Sequence, residues 1–148
     1  MMISTKGRYS LRMILDIAQH SSASGNEFVS LKEISERQQI SKKYLEQIVP
    51  MLSRSGILRT NRGNKGGYAL SRPPRQLTVG DIVRASEGSL APVSCLEQET
   101  NECPRASECM TLYIWEGLYE VVYKYLDGIT VQDILDKNGE MPGDDYCI

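Results

Sequence analysis

The stretch Ser30-Leu31-Lys32-Glu33-Ile34-Ser35-Glu36-Arg37-Gln38-Gln39-Ile40-Ser41-Lys42-Lys43-Tyr44-Leu45-Glu46-Gln47-Ile48-Val49 holds two helix starts eleven residues apart. Ser30 with Glu33 is a capping box, in which the hydroxyl takes a free amide of the first turn and the carboxylate reaches back to the serine amide. Leu31, Ile34 and Ser35 then share the inner side of a short helix that Gln38 and Gln39 end. Ser41 caps a second helix. In it Tyr44, Leu45, Ile48, Val49 and Leu52 recur at helical spacing, and Gly56 stops it where a left-handed cap is favoured. Two short helices joined by a few residues, the second led by Lys42 and Lys43, predict a helix-turn-helix. Pro50 falls inside the second helix. A proline there removes a backbone hydrogen bond at a cost of roughly 3 kcal/mol, so a kink or an early end is expected.

Downstream, Ile57-Leu58-Arg59-Thr60 and Tyr68-Ala69-Leu70 read as strands around the turn Asn61-Arg62-Gly63-Asn64-Lys65-Gly66-Gly67. A hairpin placed directly after a helix-turn-helix is a wing, and its basic, glycine-rich tip suits phosphates or a minor groove. A nucleotide-phosphate loop is disfavoured, because P-loop spacing and a following helix are both lacking. Upstream, Leu11, Ile14, Leu15 and Ala18 mark a helix over about Tyr9 to Ala18, followed by a small polar loop from Ser21 to Asn26. The expected fold is mainly α with a small β wing: a winged helix-turn-helix DNA-binding domain plus a long dimerisation helix.

After Pro73-Pro74, a second capping box at Thr78 and Asp81 opens a helix through Ile82, Val83 and Ala85 that ends at Gly88. Residues Leu90 to Met110 are irregular. From Thr111 to Leu126 the chain is helical, with Leu112, Trp115, Leu118, Tyr119, Val122, Tyr125 and Leu126 on a face too broad and aromatic for an exposed helix. Packing on its own domain would explain that face. Pairing with a second copy explains it better, since readers with one recognition helix usually dimerise over two half-sites. Thr130 with Asp133 starts a last short helix. The organisation expected is 1–75 DNA-binding region, 76–110 linker helix and cysteine loop, 111–138 dimerisation and C-terminal helices, and 139–148 flexible tail.

Charge divides the same way. Residues 1–72 carry twelve Lys+Arg against five Asp+Glu, and residues 73–148 carry five against fourteen. The basic part suits a polyanion, and the acidic part does not lie on one. No apolar run is long enough for a signal peptide or a bilayer span, so the expected location is cytoplasmic. In that compartment thiols stay reduced and four cysteines suggest metal or redox chemistry before disulfides.

Cys95, Cys103 and Cys109 have seven and five residues between them, in a segment rich in Pro, Glu, Asn and Ser. Thiolates are soft ligands for iron–sulphur clusters, zinc and copper(I). The absence of a tight cysteine pair disfavours a zinc ribbon or a thioredoxin-like site. An iron–sulphur cluster, a zinc ion, a thiol redox switch and no role at all remain open on spacing alone. A thiol enzyme is disfavoured, because the only histidine, His20, lies far from the cysteines and no general base stands near them. Cys147 falls in the expected tail.

Ser4-Thr5-Lys6-Gly7-Arg8-Tyr9, Ile34-Ser35-Glu36-Arg37-Gln38, Tyr44-Leu45-Glu46-Gln47, Arg62-Gly63 with Gly66-Gly67-Tyr68, and Thr78-Val79-Gly80-Asp81-Ile82-Val83 closely resemble the IscR-type iron–sulphur cluster regulator family of bacterial winged-helix transcription repressors. The likeness continues through the three cysteines and Trp115 and so covers nearly the whole chain. It implies a homodimer on double-stranded DNA, a [2Fe–2S] cluster in preference to [4Fe–4S] held by Cys95, Cys103 and Cys109, and control of cluster-assembly genes. Nitric-oxide or redox sensors and cysteine-metabolism regulators share the scaffold. Two positions depart from the family pattern: Leu112 stands where proteobacterial members have a histidine ligand, and Arg8 where nitric-oxide sensors have an aspartate. The fourth ligand is left among Glu97, Glu99, Glu108, Cys147 and the partner subunit.

On this reading Ser41, Lys42, Lys43, Tyr44 and Gln47 face phosphates or base edges in a major groove. Arg59, Arg62, Lys65 and Gly66 belong to the wing, with Arg62 entering a narrow minor groove. Glu46 is either a base reader that rejects wrong operators, as the resemblance implies, or a helix-surface partner of Lys42 or Lys43.

Overall fold

The structure, a computed structural model, describes residues 2–21, 27–64 and 66–140. The polar loop at 22–26, Lys65 and the stretch 141–148 with Cys147 lie outside the described residues. Helices α1 (Thr5–His20), α2 (Leu31–Gln38) and α3 (Lys42–Arg54) come first. Strands β1 (Leu58–Asn61) and β2 (Gly67–Leu70) follow, then α4 (Val79–Glu87), α5 (Leu112–Asp127) and α6 (Val131–Glu140). Short 3-10 turns stand at Pro74–Gln76, Ser94–Leu96 and Ala106–Glu108. The strands pair antiparallel, with Leu58 opposite Leu70 and Asn61 opposite Gly67. The fold is the expected one: mainly α, with a two-stranded wing behind a helix-turn-helix.

Local chemistry sets most boundaries. Ser30 and Glu33, Thr78 and Asp81, and Thr130 and Asp133 each exchange both hydrogen bonds of a capping box. Ser41 accepts from the Tyr44 amide at 3.2 Å and opens α3. Pro50 does not end α3, which runs on to Arg54. Its ring sits on the exposed side of the helix, while Ile48 and Leu52 on the other side are fully buried. The missing hydrogen bond therefore falls where the Glu46 carbonyl can turn to water, and the core side of the helix is intact. At the far end α6 continues through Gly139 to Glu140, a little past the expected limit.

Met13, Ile14 and Ile17 of α1 meet Ile34, Leu45, Ile48, Leu52, Ile57, Leu77, Ile82 and Val131 in one fully buried core. This core joins the helix-turn-helix to α4 and the start of α6. A smaller cluster of Val79, Val83 and Leu90 receives Tyr119 and Leu126 of α5. The α1 start is pinned to α4 by Ser4, whose amide and hydroxyl donate to Glu87 Oε1 at 2.8 and 2.6 Å.

One charged group lies inside the main core. Asp16 is 1% exposed. Arg37 Nη2 donates to its Oδ1 at 2.8 Å, Arg37 Nε to its Oδ2 at 3.1 Å, and Gln38 Nε2 to the same Oδ2 at 2.9 Å. Arg12 Nε in turn donates to Gln38 Oε1 at 3.2 Å, and Arg12 Nη2 donates to the Gln38 carbonyl. Together these bonds hold α1 against the turn of the helix-turn-helix, where Gln39 adopts φ 55° without being glycine. Replacing Asp16 with Ala leaves Arg37 and Gln38 without their acceptor, and unfolding free energy should fall by about 2–3 kcal/mol. Urea denaturation measures this; a loss below about 1 kcal/mol would mean that water, not Asp16, satisfies Arg37.

Candidate nucleic-acid interface and candidate metal centre

Helix α3 is two-sided. Leu45, Ile48 and Leu52 are buried, and Ser41, Lys42, Lys43, Glu46 and Gln47 are exposed. Lys42 and Lys43 form no ion pair among the described residues, so both charges are free for a polyanion. Glu46 pairs with neither of them in these contacts, which leaves its helix-surface explanation without a partner. The Ser41 hydroxyl is occupied as the helix cap. Tyr44 is half-buried, with its ring edge-on to Tyr9 at 5.5 Å and an interplanar angle of 77°. Arg12 lies 5.2 Å over the Tyr9 ring. This stack braces the start of α3, and its members lie too far apart in sequence for a local pattern to reveal it.

The wing presents Arg62 exposed and without an ion pair among the described residues. Gly66 closes the tip by donating its amide to the Gly63 carbonyl at 2.9 Å. A Cβ on Gly66 would lie 2.6 Å from the Asn61 carbonyl oxygen, so any side chain there would force the turn open. Arg59 is not grouped with Arg62. Its guanidinium pairs with Glu27, its Nε donates to the Leu70 carbonyl at 3.3 Å, and it lies 5.6 Å over the Phe28 ring. Its charge is committed to the base of the wing.

Cys95, Cys103 and Cys109 are free thiols, the first half-buried and the other two exposed. Cys103 and Cys109 line one open recess of about 410 Å³ with Arg105, Glu108, Met110 and Thr111. Cys95 stands apart on the Ser94–Leu96 turn. Among the described residues, no three His, Cys, Asp or Glu side chains converge into a group able to hold a metal ion. The donor chemistry fits a thiophilic metal or cluster, and the recess supplies two of the three thiols. The hydrogen bond with the Thr111 hydroxyl at 3.5 Å, followed by the Thr111 backbone, holds the Cys109 thiol below its ordinary range. Of the carboxylates left as candidate fourth ligands, Glu108 lines this recess, and Glu97 and Glu99 do not.

Immediately after the recess, α5 exposes Tyr113, Ile114, Trp115, Leu118, Val121 and Tyr125, and none of its residues is buried. Helical spacing alone puts Trp115, Leu118 and Tyr125 on the same face as Tyr119, Val122 and Leu126. The helix in fact divides them: the latter three are half-buried and the former exposed. Among the described residues no helix is long and apolar enough to cross a membrane.

Residues 3–137 match the Rrf2 family, described as iron-dependent transcriptional regulators. The protein named rrf2 of Nitratidesulfovibrio vulgaris is 39% identical over 135 residues, covering 91% of this chain and 87% of that protein. Among solved structures, T. potens IscR superposes with a TM-score of 0.73 at 36% identity, covering 97% of this chain and 94% of the other. The structure of CymR, the global cysteine regulator of B. subtilis, superposes with a TM-score of 0.68 at 33% identity, covering 93% and 98%. These matches describe regulators and not enzymes. The chain belongs to the Rrf2 family, the IscR-type winged-helix regulators that bind DNA and control transcription.

Proposed function

We propose that this regulator is a homodimeric repressor whose operator binding depends on an iron–sulphur cluster, and that it controls genes of cluster assembly. The observation that carries the reading is the placement of three free thiols in one polar segment directly ahead of a helix with an uncovered apolar face. Similarity to T. potens IscR supports it. Cys95, Cys103 and Cys109 would hold the group, [2Fe–2S] in preference to [4Fe–4S]. When bound, it would supply a redox-active centre whose potential is set by hydrogen bonds and solvent exposure around the thiolates. The chain's own residues do the rest. The recess keeps Cys103 and Cys109 open to solvent, Thr111 orients Cys109, and α5 carries any change in that segment along a rigid rod.

On DNA, α3 enters the major groove, with Lys42 and Lys43 toward phosphates and Tyr44, Glu46 and Gln47 toward base edges. Ser41 presents the helix N-terminus, and Gly66 shapes a tip from which Arg62 reaches the minor groove, with Lys65, outside the described residues, as a further cation of the wing. Arg59 supports the wing from its base. With a duplex selected by the wild-type protein from random-sequence DNA, Arg62→Ala should weaken binding by about 1–3 kcal/mol. Lys43→Ala should weaken all sequences alike and flatten the salt dependence by about one unit. Anisotropy titrations at several salt concentrations measure both; unchanged affinity for Arg62→Ala would remove the wing from the interface. Glu46→Ala should broaden the set of duplexes bound without changing the unfolding midpoint, and unchanged discrimination would leave Glu46 without a reading role.

A second reading is a cluster-free regulator of cysteine metabolism. Likeness to CymR favours it, as does the lack of three converging donors among the described residues. The two readings part on iron content. If the cluster reading holds, protein prepared without oxygen is brown, and Cys95→Ala, Cys103→Ala and Cys109→Ala each lose iron and visible absorbance together, because three thiolates act as one ligand set. Cys147→Ala should keep both. Colourless wild-type protein would favour the second reading, and full iron in Cys103→Ala would overturn the ligand assignment.

A further inference from the structure

A chain of alternating charges links the base of the wing to the far end of α5. Arg72, just beyond β2, donates from Nη2 to Asp81 Oδ2 at 3.2 Å. The other oxygen of Asp81 accepts from Arg84 Nη2 at 3.3 Å, and the same Nη2 donates to Asp127 Oδ1 at 2.7 Å. These four side chains are between 25% and 39% exposed, so water neither fully screens nor replaces their contacts. The Arg84 guanidinium also lies 4.7 Å over the ring of Tyr123, one turn before Asp127. Burial alone would push the Asp81 carboxyl up, but hydrogen bonds from the Thr78 amide and hydroxyl and the charges of Arg72 and Arg84 outweigh it and keep it low.

Two further features seat this chain. The Val79 amide donates to the Ile129 carbonyl at 2.8 Å and the Val131 amide to the Leu77 carbonyl at 2.9 Å, clamping the α5–α6 turn onto the start of α4. Gly80 leaves the space in which Arg84 and Asp127 meet. A Cβ there would stand 1.9 Å from Asp127 Oδ1 and 2.9 Å from Arg84 Nη1. Alanine is normally the better helix former by about 1 kcal/mol, so a glycine in the first turn of α4 runs against helix propensity.

We propose that Arg72, Asp81, Arg84 and Asp127 are positioning residues for DNA reading, tying the wing to α5 so that the placement of α5 sets where the wing stands against the duplex. A two-stranded hairpin is marginal by itself and takes its orientation from what holds its ends. Here the β-bridge of Val29 with Tyr68 and the buried Leu58 and Ala69 hold the middle and base of the hairpin, and Arg72 holds the chain where it leaves β2. Helix α5 spans 16 residues, roughly 24 Å at 1.5 Å per residue, from the residue after Thr111 to Asp127. A shift at its cysteine end therefore arrives at Asp127. Only that last consequence rests on the cluster reading; the positioning role does not.

The sign of one substitution separates this role from simple electrostatics. Removing an acidic charge from a DNA-binding protein should tighten binding. Asp127→Asn should instead weaken binding about fivefold, as breaking a coupling path does. Gly80→Ala, which alters no charge but displaces Asp127 from Arg84, should weaken it by a similar factor. Arg72→Gln at the other end should do the same, and the Arg72→Gln/Asp127→Asn double variant should be no weaker than the worse single one, because a series connection fails at its first break. The measurement is anisotropy of the full-length protein with a labelled duplex selected by the wild type from a random pool, over a range of salt, with thermal unfolding of each variant in parallel. The expected pattern is loss in all three single variants, no added loss in the double, and an unchanged salt slope for Gly80→Ala and Asp127→Asn. Unchanged or tighter binding in Asp127→Asn or Gly80→Ala, or losses that multiply in the double variant, would overturn the proposal.

Discussion

Helix α5 carries more apolar surface than the described part of its own chain covers, and the proposed pairing of two copies depends on that imbalance. Tyr113 is 72% exposed, Val121 64% and Tyr125 68%, on a helix whose opposite side rests on the small cluster around Val79 and Val83 and on Arg84. An apolar patch of this kind fits the paired state proposed above, since monomers seldom leave so much apolar surface in water. A second copy packed on it would give two recognition helices related by a two-fold axis, which is the geometry a palindromic operator requires. The cysteine segment would then lie at the edge of that interface, where a change in the segment alters how the two reading heads are held.

The DNA-binding part takes its stability from the larger core, which it shares with α4 and the start of α6. Its large core depends on α1, α2, α3, α4 and the start of α6, with Asp16 fastening α1 to the turn between the two helices of the reading motif. The exposed side of α3 and the tip of the wing contribute nothing to that core, so their side chains are free to be chosen for DNA. The two parts meet at α4, through the apolar contacts of Tyr119 and Leu126 and through the ion pair of Arg84 with Asp127.

Features set by near neighbours were legible in the sequence. The capping boxes at Ser30, Thr78 and Thr130, the cap at Ser41 and the hairpin around Arg62 all depend on residues three to twelve positions apart, and all are present. Pro50 was misleading, because whether a proline breaks a helix depends on which side faces the core, and the pattern around it did not resolve that. Arg59 counted as a basic wing residue in sequence, yet Glu27, 32 residues earlier, neutralises it. Arg84 and Asp127 are 43 residues apart, and the rings of Tyr9 and Tyr44 are 35 apart. No periodicity links such pairs. The spacing of Cys95, Cys103 and Cys109 identified a thiol-rich segment, but not that two of them share a recess while the third stands off it.

The central claim, that α5 joins two copies into the DNA-reading unit, is most directly tested by sedimentation equilibrium of the wild-type protein and of Val121→Glu, at concentrations where the wild type binds a selected duplex. A wild-type mass of twice the 16.6 kDa of one chain is expected, with Val121→Glu shifted to the single-chain mass while it keeps a cooperative unfolding transition. A wild-type protein that binds the duplex as a single chain, or a Val121→Glu protein that remains fully paired, would contradict it.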